Sequence, residues 1–271
     1  MFCVASLCVF TLGISGLIQV QADETIGVRT PCRIKRGIST SSKRFHIPNK
    51  IASGTFPFSA AVKLGTRCTG VAVTERHVIT AAHCVTTIKG SRRTIDKTIQ
   101  VGFLTSSGDF DWISVKRIFV PKEWTRRERT SIKDDFALLV LRKKHNRPFL
   151  LPAAVNTTAA VDARSFVYFS AFDDAEQANS LMYRVCQVQG AAYGVVYQEC
   201  ATEDGASGAG VYMQVYDLKR NNWDRVLVGI QNTKYSKTLT GNQLSVTLWF
   251  TQDILDVLCS WTSNTRYSLC R

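Results

Sequence analysis

From Phe56 onward one pattern recurs along the chain: runs of six to nine residues rich in Val, Ile, Phe, Tyr and Thr, separated by polar or glycine-bearing breaks. The runs are FPFSAAVKL, CTGVAV, HVITAA, IQVGFL, WISVKRIFV and FALLVLR, then SFVYFSAF, SLMYRVCQV, VVYQEC, GVYMQVY, RVLVGIQ and LSVTLWF. β-Branched and aromatic side chains pack well on a pleated surface, so strand-length runs at this spacing predict an all-β sandwich or barrel. The proline-bearing stretch KKHNRPFLLPAAVNTT, residues 143–158, reads as the crossing between two β halves. The pattern changes at the end. In TQDILDVLCSWT, Thr251 is placed to cap a helix, and Ile254, Leu255, Leu258 and Trp261 fall on one face at helical spacing. That stripe predicts a C-terminal α-helix packed on the core. There is no internal repeat and no low-complexity segment.

The 45% hydrophobic content of the 271 residues is ordinary for a globular protein that buries a core. The segment 1–22 is uncharged, apolar from Phe2 to Ile18, and ends in Val20-Gln21-Ala22. It reads as a secretory signal cut after Ala22, and no later window has the roughly 20 apolar residues that span a bilayer. A secreted, extracellular product is expected, with no membrane attachment after signal removal. Arg33-Ile34-Lys35-Arg36 has the form that secretory-pathway convertases cleave, which makes 23–36 a propeptide and Gly37 the mature start. The expected halves are then 37–150 and 151–271. Asn156-Thr157-Thr158 is a glycosylation sequon.

Once Cys3 and Cys8 leave with the signal, seven cysteines remain, and an oxidising compartment favours disulfides. They fall into three near-neighbour pairs, Cys68 with Cys84, Cys186 with Cys200 and Cys259 with Cys270, although spacing alone does not fix connectivity; Cys32 is left over. No cysteine or histidine cluster has zinc spacing, so neither metal nor cofactor is expected. The net charge is +13, and residues 116–147 hold eleven Lys and Arg against four Asp and Glu. In a secreted protein this excess points to a sulfated glycan or to a solvated basic face. Nucleic-acid binding rests on charge alone and is set aside.

One serine stands out, Ser207 in Gly205-Ala206-Ser207-Gly208-Ala209. A serine nucleophile needs a base to take its proton and a third group to orient that base. Of four histidines, His83 stands apart in Thr80-Ala81-Ala82-His83-Cys84, where small alanines let the backbone and ring approach closely. Asp135 immediately precedes the apolar run FALLVLR and can reach inward from its mouth. A disulfide-held structural histidine and a strand-edge carboxylate are the bland alternatives. Chain order discriminates between catalytic arrangements. No histidine follows Ser207, and no aspartate lies between Gly37 and Ala82, which removes two of the three usual orders and leaves His83, Asp135, Ser207.

TAAHC, DDFALL and GASGAG resemble the three motifs of the chymotrypsin/trypsin-like serine proteases, from about Phe56 to the terminal helix. CTGVAVTERHVITAAHC and LCSWTSNTRYSLC resemble a narrower secreted group within that family. The resemblance implies two six-stranded antiparallel β-barrels with the site between them and a protein or peptide substrate. It implies His83 as general base, Asp135 as its orienter, Ser207 as nucleophile, and an oxyanion hole from the backbone N–H groups of Gly205 and Ser207. Three departures stand out. Ala206 replaces the acidic residue that in the family pairs with a new N-terminal ammonium. The expected cut yields Gly37-Ile38 in place of a branched apolar start. Asn232-Thr233-Lys234 replaces the family's substrate-pairing edge, and Lys234 in place of glycine either obstructs the primary pocket or favours an acidic side chain. The leading expectation is a secreted serine endopeptidase working through an acyl-enzyme. The alternative is a secreted pseudo-protease that binds a glycan or protein partner.

Overall fold

The computed structural model describes residues 43–89, 92–126, 131–154, 165–173, 179–200, 202–217, 221–237, 243–262 and 269. The segments 1–22 and 23–36, expected to be signal and propeptide, lie outside the described residues, as do Cys32, Arg36, Arg127, Arg129, Asn156 and Cys270.

The chain begins with β1 (Lys43–Ile47) and the short helix α1 (Asn49–Gly54), then builds a first barrel. Its strands are β2 (Ala61–Leu64), β3 (Thr69–Thr74), β4 (His77–Thr80), β7 (Gln100–Leu104), β8 (Phe110–Phe119) and β9 (Ala137–Leu141). They close in the order β2-β3-β4-β9-β8-β7. A hairpin outside the barrel, β5 (Thr86–Lys89) with β6 (Arg92–Ile95), follows β4, and α2 (Lys122–Arg126) follows β8. Every residue of β3 and β4 is buried, as is all of β9 except Val140. Runs such as ALLVL therefore read as continuous apolar stretches with little alternation.

The second half holds β10 (Phe166–Phe172), β11 (Leu181–Ala192), β12 (Val195–Glu199), β13 (Gly210–Asp217), β14 (Asn222–Lys237) and β15 (Gln243–Trp249). Their order is β11-β10-β13-β14-β15-β12, and the β11–β12 pairing closes the second barrel. β1 adds to the outside of β11, Lys43 opposite Val185 through Ile47 opposite Leu181, so the start of the described chain joins the sheet of the second half. Here alternation is clear: Met182, Arg184, Cys186 and Val188 face inward from β11, and Val167, Phe169 and Ala171 from β10.

The two-barrel architecture expected from the resemblance is thus present, and so is the C-terminal helix, α3 (Gln252–Thr262). It buries Ile254, Leu255 and Leu258 in the core that also contains the first barrel's apolar side chains. Trp261 stacks on Phe119 at 5.7 Å and meets Phe136 at 5.6 Å. Fully burying a large apolar side chain stabilises by roughly 1.5–3 kcal/mol, so this face fastens the end of the chain beside Asp135, the neighbour of Phe136. Cys68–Cys84 and Cys186–Cys200 are disulfides, with Cα atoms 6.0 and 5.3 Å apart. Cys259 is disulfide-bonded as well.

Candidate active site

His83 reaches the site because β4 stops at Thr80 and the chain tightens into a 3-10 turn over Ala82–Val85. Ala81 and Ala82 are fully buried, so a larger side chain at either would push the turn off the barrel. Cys84 at the end of the turn is tied to Cys68 just before β3. Asp135 follows another 3-10 turn, Ile132–Asp134, and precedes β9, whose pairing with β4 brings the two turns to one end of the barrel.

The Asp135 carboxylate accepts three hydrogen bonds. His83 donates its backbone N–H to Oδ1 at 2.8 Å, and its ring Nδ1 meets Oδ2 at 2.7 Å. Asn232 donates its side-chain amide to Oδ2 at 2.8 Å. A carboxylate offers only acceptors, so Nδ1 carries the proton in this bond and the Nε2 lone pair is left outward on a ring whose side chain is 38% exposed. The Asp135 side chain is 6% exposed, and its charge is compensated by these donors in place of water.

Ser207 comes from the second half, on the loop between β12 and β13. Gly205 and Gly208 have positive φ, 98° and 82°. A Cβ on Gly208 would lie 2.1 Å from Thr80 Oγ1 and 2.3 Å from the Thr69 carbonyl oxygen. Its glycine serves a turn and a close approach together, because the loop is pressed against β3 and β4 of the first barrel. The Ser207 hydroxyl donates to the Asn232 carbonyl at 3.1 Å; among the described residues no hydrogen bond joins it to His83. The backbone N–H groups of Gly205 and Ser207 donate to nothing among the described residues, while Ala206 and Gly208 donate to the carbonyls of Glu203 and Gln231 at 3.2 and 2.7 Å.

His83, Asp135 and Ser207 therefore meet at the seam, linked through a fourth residue, Asn232. Asn232, expected from the sequence at the start of a substrate-facing edge, is buried, with its amide on Asp135 and its carbonyl accepting from Ser207. No pattern signals this. β14 shifts register between Gln231 and Thr233, and Ile230, Gln231 and Asn232 are buried consecutively. Alternation fails at the residue that matters. The Lys234 side chain lies outside what is described. Ala206 is fully buried among apolar neighbours of the second barrel. Cys68 and Cys84 lie close to His83, but they are bonded to each other and offer no thiolate to a metal.

A second polar group lies beneath the seam. Asp173, just beyond β10, is buried with Arg184 of β11, which bonds its Oδ2, and Arg44 of β1 stands 3.0 Å from the same oxygen. Burial pushes the Asp173 carboxyl up from its ordinary range, while Arg184 and Arg44 pull the other way. Burial likewise lowers Arg184, opposed by Asp173.

Residues 49–222 match the Trypsin family model. Serine protease 23 of Bos taurus is 37% identical over 221 residues, covering 73% of this chain and 57% of its own length, and that of Homo sapiens is 36% identical over 222 residues, covering 73% and 56%. Inactive serine protease 35 of Homo sapiens is 28% identical over 258 residues, covering 73% and 61%. The chain spans little more than half the length of the curated relatives it matches. Two solved structures share the fold: a Glu endopeptidase in complex with MPD (TM-score 0.63, 16% identity, 84% of this chain and 99% of that one) and neuropsin, a serine protease of mouse brain (TM-score 0.53, 17% identity, 80% and 94%). With the paired barrels, the His83–Asp135 hydrogen bonds and a family match over more than half its length, the chain belongs to the trypsin family of serine proteases.

Proposed function

We propose that this chain is a secreted serine endopeptidase. The observation that carries the reading is the continuous linkage from the His83 ring through the Asp135 carboxylate to Asn232 and the Ser207 hydroxyl. Asp135 holds the His83 tautomer that leaves Nε2 as acceptor. To react, the Ser207 hydroxyl leaves the Asn232 carbonyl by rotating about χ1 and donates to Nε2, a hydrogen bond that unliganded sites commonly lack. Oγ then attacks the scissile carbonyl carbon as its proton passes to Nε2, and the developing oxyanion is received by the N–H groups of Gly205 and Ser207. Collapse breaks the C–N bond, with the His83 proton going to the leaving amine. Water, deprotonated by His83, attacks the acyl-Ser207 ester; the acid product departs and Ser207 regains its proton.

Residues 1–22 serve as signal and 23–36 as a propeptide released by a convertase after Arg36, with Asn156 as a glycan acceptor and halves at 37–150 and 151–271. No helix among the described residues is long and apolar enough to cross a membrane. The exposed basic residues of 116–147 would meet a sulfated glycan. Lys143 lies 3.4 Å from Asp111 and Lys144 2.5 Å from Glu75, exposed pairs of little strength that an anionic chain can displace. Heparin retention should weaken when Arg126, Lys143 and Lys144 are neutralised; unchanged retention assigns them to a solvated face.

The second reading is a pseudo-protease with a binding role. It is favoured by the Ser207 hydroxyl resting on Asn232 and by the likeness to a relative named inactive. Labelling with a fluorophosphonate separates the two. The processed wild type should label, while Ser207→Ala should not and His83→Ala should label very slowly. A folded, processed wild type that stays unlabelled overturns the protease reading.

A further inference from the structure

The loop that carries Ser207 is fastened to the first barrel at one residue. Thr69, at the start of β3, is fully buried and uses every polar atom it has. Its backbone N–H donates to the Ser207 carbonyl at 2.9 Å, and its own carbonyl accepts the Thr80 hydroxyl at 2.8 Å. Its hydroxyl donates to the Gly205 carbonyl at 2.7 Å and accepts the N–H of Phe172 at 3.0 Å. One side chain thus ties together three segments: the first barrel, the Gly205–Ser207 turn, and the end of β10 beside the buried Asp173–Arg184 pair.

The geometry matters because the turn is soft in itself. Gly205 has no Cβ to restrict it, and its φ of 98° is one of several conformations open to glycine. Fixing its carbonyl sets the plane of the peptide that follows and, through Gly205, the direction of its N–H. Anchoring the Ser207 carbonyl does the same at the other end. Of the two N–H groups assigned to the oxyanion, that of Ser207 lies between these anchors and that of Gly205 on the residue that carries the first. Ala206, buried between them, offers no charge to hold an ammonium.

We infer that Thr69 is the positioning residue of the oxyanion loop, and that it holds the loop in working geometry without a charge at the chain's mature N-terminus. This rests on the protease reading for its consequence in rate, but not for its consequence in structure. In Thr69→Val the shape is kept and the hydroxyl lost. Fluorophosphonate inactivation should then show kinact reduced about a hundredfold, with KI within about threefold of wild type. Amides of Ala206 and Gly208 should exchange with solvent about tenfold faster. Thr69→Ser, which returns the hydroxyl, should recover both. A second arm leaves position 69 untouched: two serines inserted after Arg36 displace the terminal ammonium, and neither labelling nor loop exchange should change by more than about threefold. The inference is overturned if Thr69→Val leaves loop exchange as in wild type, if Thr69→Ser does not recover it, or if the insertion loosens the loop. An unlabelled wild type instead sinks the protease reading, and the exchange measurements still decide the role of Thr69.

Discussion

The two barrels solve the burial of polar groups differently. In the first, the paired strands β3 and β4 bury small neutral groups: Thr74 Oγ1 bonds the His77 ring at 2.8 Å, and the Thr80 hydroxyl donates to the Thr69 carbonyl at 2.8 Å across one hairpin. In the second, the strands bury larger and charged groups, Arg184 with Asp173 and Gln198 Nε2 donating to Gln231 Oε1 at 2.8 Å. The first supplies His83 and Asp135 from turns braced by dry strands; the second supplies Ser207 and Asn232. The proposed acid–base pair therefore sits beside strands that bury neutral hydroxyl and imidazole groups, and the proposed nucleophile beside strands that bury a charged pair and glutamine amides.

If that contrast holds, the deepest loss of rate comes from the first barrel. Asp135→Asn keeps the shape but turns an acceptor of the Nδ1 proton into a group able to donate, which favours the wrong tautomer of His83. Turnover should fall about ten-thousandfold with little change in melting temperature. A loss under about tenfold, measured as fluorophosphonate labelling rate, would mean that the His83–Asp135 bond is structural only.

For stability the second barrel should be the more sensitive. Arg184→Met removes the buried partner of Asp173 and leaves the part-exposed Arg44 facing it, and should cost about 3 kcal/mol in denaturant unfolding. Adding Asp173→Leu removes the poorly compensated charge and should recover most of that loss. A double variant no better than the single would show that Arg184 acts by packing on Phe169, whose ring lies 5.4 Å from its guanidinium carbon.

The first barrel has its own titration signature. Burial lowers His77 from 6.5 to about 4, so the folded state holds this ring neutral while the unfolded chain takes up a proton. Its share of stability is complete above about pH 6.5 and is lost as pH falls from there towards 4, by up to about 3 kcal/mol. His145, stacked on Phe103 at 4.7 Å and lowered by burial in the same sense, adds to the trend. Urea midpoints at pH 7.5 and 4.5 should differ accordingly, and His77→Gln should flatten the difference.

The same contrast explains what could be read from the sequence. The strands were legible as apolar runs, and the order His83, Asp135, Ser207 singled out residues that the structure brings to one seam. The β5–β6 hairpin was not, because TTIK and RRTI are short, polar and outside either barrel. Arg184 occupies the inward phase of LMYRVCQV, so its burial is legible in the alternation itself. Asn232 left none, since a register shift cancels the period on which such a reading depends. Thr69 likewise looks like one more β-branched strand residue until Gly205 and Phe172 are brought against it.

Asn232→Ala gives the smallest of these effects and the sharpest test of how the barrels divide the work. It removes one of three donors to Asp135 and leaves both from His83, so the carboxylate stays oriented but is less well compensated. The Ser207 hydroxyl keeps its acceptor, because that acceptor is the Asn232 backbone carbonyl. A hydrogen bond to a charged group contributes about 1.5–3 kcal/mol, so labelling should slow about tenfold to a hundredfold, by way of kinact and not KI. Asn232→Ser, which keeps a donor on a shorter side chain, should recover part of the loss. Were Asn232→Ala as damaging as Asp135→Asn, the second barrel would be setting the acid–base pair as much as the nucleophile, and the division drawn between the two barrels would fail.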